Sequence, residues 1–526
     1  MRPKTDLYDL IASLSKQEKR YFALYANRQG SATNKTYLQL FEWIDRRVQS
    51  GKGYDEDRLK KDFAGQSFLK HLSSFKNYLF KLILEALENY HAGRTPEDQL
   101  QSNLRRLQIL FSKGLIEPAN TLLRQSAALA EKHGLLLFQL ELYRWKIRLF
   151  NARLDLKAMD DFVSRGVQHQ RAVLQEFDLQ QQILHTYTEL TLLERRLGSP
   201  RDREETQQYE RVGEQLFGLT PGNQHSFDTW FYYRLAVGLY YYMVGRFEEA
   251  NAQRAALVEQ FHAQPEAIER QPLRYLQALS NLMTTLRLLG RFEECHHWLE
   301  ALKAFEPAND AQLPANFRQS IFVKAASHEL ALWIDTGTPL ADCRQPLEDY
   351  AREFEQLEPY LTPIEQLYLN FTFFHFWFVH QEYKTALRYL QPILNRKDLS
   401  FKRNLTDYCR ILLLITHYEL GNIDLLEDGM IRSTLRYFRK RGQQSGIEAF
   451  FMKMLRVIVD MPSANELLEG LAWARPRLQR LDSSPEARLF FQRFDLIAWV
   501  DSKLRNQAYL TVLLERRQLL SNSISE

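Results

Sequence analysis

The chain has 526 residues, of which 45% are hydrophobic and 25% are charged, and its formal net charge is only +4. That length exceeds what one compact core usually holds, so several domains or a repeat array are expected. The small net charge excludes an argument for nucleic-acid binding from overall charge alone. The three cysteines are scattered, which excludes a disulfide framework or zinc spacing and predicts a reducing, cytoplasmic location.

Two membrane-related features are missing from the sequence pattern. The beginning, MRPKTDLYDL, lacks the apolar segment of a signal peptide. No run approaches the roughly 18 apolar residues of a membrane span. The nearest, LNFTFFHFWFV, contains Asn370 and His375. We therefore expect no membrane partner.

Residues 1–93 are predicted to form an N-terminal helical domain. A capping box from Ser15 to Glu18 starts one helix, and further helices are expected at about 34–48, 55–63 and 66–90. The segment has 16 Lys and Arg against 11 Asp and Glu, a net charge of +5. That excess allows contact with DNA or RNA, although acidic residues interrupt the basic ones, and the alternative is a solvated face on a cap. The candidate nucleic-acid contacts are Arg58, Lys60, Lys61, Lys70, Lys76 and Lys81.

Residues 94–441 contain a recurring helical hairpin. Its clearest copy, LAVGLYYYMVGRFEEA, reads as the end of one helix, a turn at Gly245 and the start of a second helix. Gly245 suits a turn because glycine adopts a positive φ without steric cost, and Gly238 would let a neighbouring helix approach closely. Related turns recur at positions 114, 154, 198, 245, 290, 337, 381 and 421, which are 40 to 47 residues apart. Such a period is typical of stacked helix pairs.

The hairpins resemble the tetratricopeptide family. The best copy matches the family pattern of small and aromatic residues at Gly238, Tyr241, Gly245, Phe247 and Ala250, and weaker copies surround positions 290 and 381. The usual period of the family is shorter, about 34 residues, so the units here are irregular. The resemblance implies an all-α, right-handed α–α superhelix, a tetratricopeptide-like solenoid. The layout also resembles helical-repeat proteins of bacteria, a likeness that implies no function.

The resemblance also implies a concave groove lined by the first helix of each pair. Tyrosine-rich walls with a few polar anchors suit an extended peptide or a partner helix. The alternative is that longer helices shift these positions into the core. The implied groove residues are Tyr232, Tyr242, Gln277, Thr284, Arg287, Tyr368 and His375.

Residues 442–526 depart from the repeat pattern and are predicted to form a C-terminal helical cap, because a solenoid must cover its last apolar face. A metal cluster at Cys295, His296 and His297 is rejected, because adjacent helical residues point in different directions. The sequence has no phosphate loop or hydrolase motif.

These patterns together predict a scaffold that binds a protein or peptide, without catalysis and without a cofactor. The alternative function is a nucleic-acid-binding regulator, in which residues 1–93 contact DNA or RNA and the repeats sense a partner.

Overall fold

The structure of the protein is a computed structural model, which describes residues 6–28, 32–93, 95–153, 156–197, 200, 203–306, 316–396, 403–440, 450, 454, 464–482 and 494–525. The described residues form helices and no strand, which confirms the all-α class. Most of the helices pack as consecutive pairs, in the manner of a solenoid. The chain divides into two compact units, within Met1–Leu174 and within Gln175–Pro307 and Arg318–Glu526. The boundaries predicted near residues 93 and 441 stay predictions.

The first unit begins with five helices that share one core. Ser15 and Glu18 form the expected capping box, with the Ser15 amide 2.7 Å from a Glu18 carboxylate oxygen. Phe22 and Phe41 pack with ring centroids 4.6 Å apart, and both are buried. The helices are α1 (Asp6–Ser13), α2 (Lys16–Arg28), α3 (Ala32–Gln49), α4 (Glu56–Asp62) and, after a 3₁₀ turn at Ser67–His71, α5 (Leu72–His91).

The helical pairs begin after residue 93. Thr95 caps the first of them, since its hydroxyl accepts from the Asp98 amide and Asp98 accepts from the Thr95 amide. In this region the helices are α6 (Pro96–Ser112), α7 (Ile116–Lys132), α8 (Leu136–Arg153), α9 (Leu156–Asp161) and, after a π turn at Phe162–Gly166, α10 (Val167–Arg196).

The second unit continues the same alternation. Its helix α19 (Pro363–Val379) is apolar on nearly every side, and Phe373, Phe374, Phe376 and Phe378 are fully buried in it, as expected for a helix between neighbours. The helices are α11 (Arg203–Phe217), α12 (Phe227–Met243), α13 (Phe247–Ala263), α14 (Pro265–Arg270), α15 (Pro272–Leu288), α16 (Phe292–Lys303), α17 (Phe317–Thr336), α18 (Leu340–Leu357), α19 (Pro363–Val379), α20 (Tyr383–Asn395), α21 (Arg403–Glu419), α22 (Ile423–Leu425), α23 (Ile431–Lys440), α24 (Ala464–Asp482), α25 (Leu496–Arg505) and α26 (Tyr509–Ser525).

The predicted turns lie between the two helices of each pair. Position 245 has a φ of 79°, and positive φ recurs at 114, 290, 337, 381 and 421. At each of these turns the following amide donates to a carbonyl five residues earlier, as from Arg246 to Tyr241 and from Glu382 to Trp377. Positions 154 and 198 lie outside the described residues. The six described turns are therefore confirmed.

One prediction about close packing was wrong. A Cβ added at Gly238 would meet the Arg254 Cγ at 3.4 Å, an ordinary contact, whereas one added at Gly213 would lie 2.3 Å from the Tyr240 ring. Gly213 of α11 is therefore the glycine of this pair at which a neighbouring side chain, the Tyr240 ring, leaves no room for a Cβ.

Gln381 holds the turn position that glycine holds in other pairs, at a φ of 63°. A residue with a Cβ is destabilised by about 1–2 kcal/mol in the left-handed region of positive φ. Glycine avoids this strain but loses more conformational entropy on folding, which costs about 0.5–1 kcal/mol. We expect Gln381→Gly to raise the free energy of unfolding of the full chain by roughly 0.5–1 kcal/mol, measured by urea denaturation. Gln381→Ala is the control because it keeps the Cβ. Equal stability of the two variants would contradict the prediction.

Candidate functional site

Polar side chains join the first helices of neighbouring pairs in the second unit. Between α12 and α15, the Arg274 guanidinium donates to the Tyr232 hydroxyl at 2.6 Å and to the Asp228 carboxylate at 3.2 Å. Arg274 also lies over the Tyr232 ring, 5.0 Å from its centroid. The hydroxyl of Tyr232, a predicted groove residue, thus accepts a hydrogen bond that joins α12 to α15.

Two further bonds join α15 to α17. Ser280 Oγ lies 2.8 Å from His328 Nε2, and Arg287 Nε donates to Asp335 Oδ2 at 2.6 Å. Both bonds connect residues 48 positions apart. Equal offsets mean that the two helices run in the same direction at constant register, as first helices of successive repeats do. We name the six residues of these three contacts the polar row: Tyr232, Arg274, Ser280, His328, Arg287 and Asp335.

Of the remaining predicted groove residues, Tyr242, Gln277 and Thr284 lie on α12 and α15, whereas Tyr368 and His375 lie on α19. Arg254 lies over the Tyr242 ring, 4.8 Å from its centroid, and Thr284 donates to the Ser280 carbonyl at 2.9 Å. Gln277, Thr284 and Tyr368 are half-buried. Their side chains are therefore only partly accessible to a partner.

His375 does not lie on an open surface. Its side chain is buried, and its ring lies 5.6 Å from the Phe494 ring, so the C-terminal part of the chain covers it. The expectation that His375 contacts a partner is wrong for this conformation, because residues distant in sequence pack over this part of α19.

Buried histidines are a notable feature of this region. Burial, together with the charges of Arg287 and Lys324, lowers the pKa of His328 to about 3. Burial and the nearby Arg517 lower the pKa of His375 to about 3. His328 Nδ1 and His375 Nε2 have no hydrogen-bond partner among the described residues. Both imidazoles are therefore neutral at physiological pH.

The C-terminal helix reaches the end of the polar row. Arg517 of α26 bonds to Asp335 Oδ1, while Arg287 holds Oδ2 of the same carboxylate. One buried carboxylate thus joins α15, α17 and α26. Removing it would leave two guanidinium groups without their shared partner.

The six candidate nucleic-acid contacts of the N-terminal segment differ in their surroundings: one is buried, two form ion pairs and three are exposed. Lys76 is buried, and its ammonium donates to Glu56 at 2.8 Å and to the Tyr54 hydroxyl at 3.2 Å. Burial lowers the pKa of Lys76, but these hydrogen bonds outweigh it and the net pKa is raised. Lys76 is therefore a structural cation, and its prediction as a nucleic-acid contact was wrong.

Of the other five, Arg58 pairs with Asp62 at 3.0 Å and Lys60 with Glu56 at 3.2 Å. Lys61, Lys70 and Lys81 are exposed. These three are the predicted basic residues that remain available on the surface of this subdomain.

A cleft in the first unit was not found from the sequence. It has a volume of about 550 Å³ and lies between α6 and α8, the first helices of two successive pairs. Its apolar floor includes Phe111 and Trp145, whose rings meet edge to face at 5.8 Å. Arg105 and Arg148 are exposed at its edges and form no ion pair among the described residues. The lining is Leu104, Arg105, Gln108, Phe111, Ser112, Glu141, Trp145 and Arg148.

The cleft residues carry a weak sequence signal. On α8, residues 141, 145 and 148 recur at helical spacing, as 104, 108 and 111 do on α6. The same spacing also describes any buried helix face, so only the pairing of the two helices shows that they enclose a cleft.

Cys295, His296 and His297 were rejected as a metal site from the sequence, and their burial and exposure fit structural roles. Cys295 is fully buried, and burial raises the pKa of its thiol to about 11, so the thiolate is disfavoured. His296 and His297 are exposed. Within the described ranges, no group of three or more His, Cys, Asp or Glu side chains could hold a metal ion. None of the described helices combines the length and apolarity that a membrane crossing requires.

Comparison with known proteins gives no functional assignment. No protein-family model matches the chain, and no curated protein or solved structure is significantly similar to it.

The two buried histidines predict acid sensitivity. Their pKa is depressed in the folded state, so below about pH 6.5 the unfolded chain binds protons that the folded chain does not. The contribution of these histidines to the free energy of unfolding is fully present above about pH 6.5. It is lost as the pH drops towards 3, by up to about 1.4 kcal/mol per pH unit for each histidine. Urea denaturation at pH 7 and pH 5 measures this.

The substitution His328→Asn should reduce the loss of stability between pH 7 and pH 5. His185→Asn, at an exposed histidine of α10, should leave it unchanged. An equal pH dependence for both variants would refute the assignment to His328.

Proposed function

We propose that the chain is a non-catalytic scaffold whose tetratricopeptide-like helix pairs bind a protein or peptide. The observation that carries the proposal is the cleft between α6 and α8, where two guanidinium groups that form no ion pair with a described residue flank an aromatic floor. First helices of successive pairs line it, as in the groove implied by the resemblance. The free, buried cysteines support a cytoplasmic location.

The cleft chemistry favours an acidic, extended peptide that carries an apolar side chain. Leu104 and Phe111, beside the largely buried Trp145, offer a small apolar contact for that side chain. Arg105 and Arg148 offer charge complementarity, worth about 0.2–1 kcal/mol for each exposed ion pair and sensitive to salt. Gln108 adds an amide that can bond to a peptide backbone.

Peptide display on the full chain tests this proposal. We expect acidic sequences with one central apolar residue to be enriched. Arg105→Glu combined with Arg148→Glu should weaken their binding at least about tenfold, a loss of roughly 1.4 kcal/mol, measured by fluorescence anisotropy. Two attractive contacts become repulsive in this variant.

Arg124→Glu is the matched control, because Arg124 is exposed on α7 and does not line the cleft. Equal loss of binding in the control, or no enrichment of acidic peptides, would contradict the proposed site.

A second candidate function is nucleic-acid binding by the N-terminal subdomain. Tyr78 is about half exposed on α5 and stacks on Tyr37 with ring centroids 4.7 Å apart. Lys81 lies three residues later on α5 and shares the helix face of Tyr78, so an aromatic platform has a cation beside it, and the exposed Lys70 lies in the 3₁₀ turn that precedes the helix. Bases can stack on such a platform while the cations contact phosphates.

Mobility shift of single-stranded DNA or RNA at several salt concentrations tests this second candidate. Salt-sensitive binding that is lost in the variant Tyr78→Ala with Lys70→Glu and Lys81→Glu would support it. No shift at low salt would remove it.

A further inference from the structure

The first half of the C-terminal helix α26 is docked against the rest of the second unit. Tyr509, Val512 and Leu513 are buried, at helical spacing, and Arg516 and Arg517 are half-buried about one turn after Leu513. Leu519, by contrast, is 70% exposed. Among the described side chains of α26, the docked face therefore includes residues 509 to 517.

This face of α26 contacts other parts of the second unit in three ways: through an aromatic ring, through an aliphatic side chain and through an ion pair. The Tyr509 ring stacks on Phe494 at 5.0 Å and meets Phe378 edge to face at 5.8 Å. Leu514 lies so close to the Gly337 turn that a Cβ there would be 2.4 Å from its Cδ1. Arg517 bonds to Asp335.

The surface under α26 continues the polar row. Asp335 ends that row, and its two carboxylate oxygens are divided between Arg287 of α15 and Arg517 of α26. The row lies on first helices of successive pairs, the helices that the resemblance assigns to partner binding. The chain itself therefore shows that an amphipathic helix can bind there.

The preceding helix, α25, has a different role. Its residues from Leu496 to Ser502 are buried on all sides of the helix. Trp499 and Lys503 both donate to Glu419 of α21 at 2.6 Å. A helix buried in this way belongs to the core of the unit.

The turn between the two helices is short, and Asn506 in it has a φ of 52°. Two contacts tie α26 to this hairpin, from Arg516 to Asp495 at 2.6 Å and from Arg505 to Glu515 at 2.8 Å. Rotation at the turn would separate α26 from Gly337 and Asp335 without moving the core helix.

We propose that α26 is an intramolecular occupant of a helix-binding surface, and that the external partner of this surface is an amphipathic helix. The partner helix would carry an aromatic residue, two aliphatic residues three and four positions later, and a basic residue eight positions after the aromatic one, like Tyr509, Val512, Leu513 and Arg517. The inference rests on the proposed partner-binding function and names the partner class for the second unit.

A labelled peptide of residues 507–525 is the probe, and the full chain is the receptor. In the wild-type chain α26 competes with the peptide. Leu513→Ala in the chain weakens this competitor, so the labelled peptide should bind that variant at least about tenfold more tightly than the wild type, measured by fluorescence anisotropy.

Leu519→Ala in the chain is the matched control, since the same atoms are removed from an exposed side chain. It should bind the peptide as the wild type does. A peptide with Arg517→Gln should bind both chains more weakly, because it cannot neutralise Asp335.

Hydrogen exchange of the wild-type chain keeps the test independent of the folding of any variant. Saturating wild-type peptide should reduce the protection of the α26 amides, and the Arg517→Gln peptide should reduce it less. Unchanged protection, or equal binding of the peptide to the Leu513→Ala and Leu519→Ala chains, would overturn the inference. The acidic-peptide experiment with the Arg105 and Arg148 variant tests the proposed site in the first unit separately. A failure of that proposal can therefore be distinguished from a failure of the helix-binding surface in the second unit.

Discussion

The structure depends on the fact that a helix pair cannot bury its own apolar surface. Helix α19 illustrates the constraint, because its phenylalanines cover nearly every side of the helix and only neighbours on several sides can remove them from water. Each pair therefore requires the next one, and the regular turns follow from the need to reverse direction at a constant interval. Helix α25 meets the same need near the C-terminal end of the array, where its residues from Leu496 to Ser502 are buried on all sides.

Polar contacts specify how the pairs align. Apolar contacts alone tolerate sliding of one helix along another, whereas the bonds from Ser280 to His328 and from Arg287 to Asp335 hold one register between α15 and α17. Burying these groups has an energetic cost that depends on complete pairing. The depressed pKa of His328 shows the same cost, since its burial among cations excludes the protonated form.

The two units offer surfaces of different character. In the first, the cleft beside Trp145 is open and its cations have no partner among the described residues. In the second, α26 covers Asp335 and supplies the cation that this carboxylate requires. We proposed an acidic peptide for the cleft and a basic amphipathic helix for the covered carboxylate, and on these proposals the two surfaces would select partners of opposite charge.

The sequence by itself determined the all-α class and the positions of the turns, because glycine at a helix end and helical spacing of apolar residues are local properties. Gln381 was placed at a turn because Tyr383 and Ala386 follow it as Phe247 and Ala250 follow Gly245, and its positive φ agrees. Only the tertiary structure decided which side chains are accessible. Lys76 and His375 have ordinary sequence surroundings, yet Glu56 and Phe494, distant along the chain, bury them. The cleft between α6 and α8 likewise exists only once two separate helices lie side by side, since neither helix alone encloses a space.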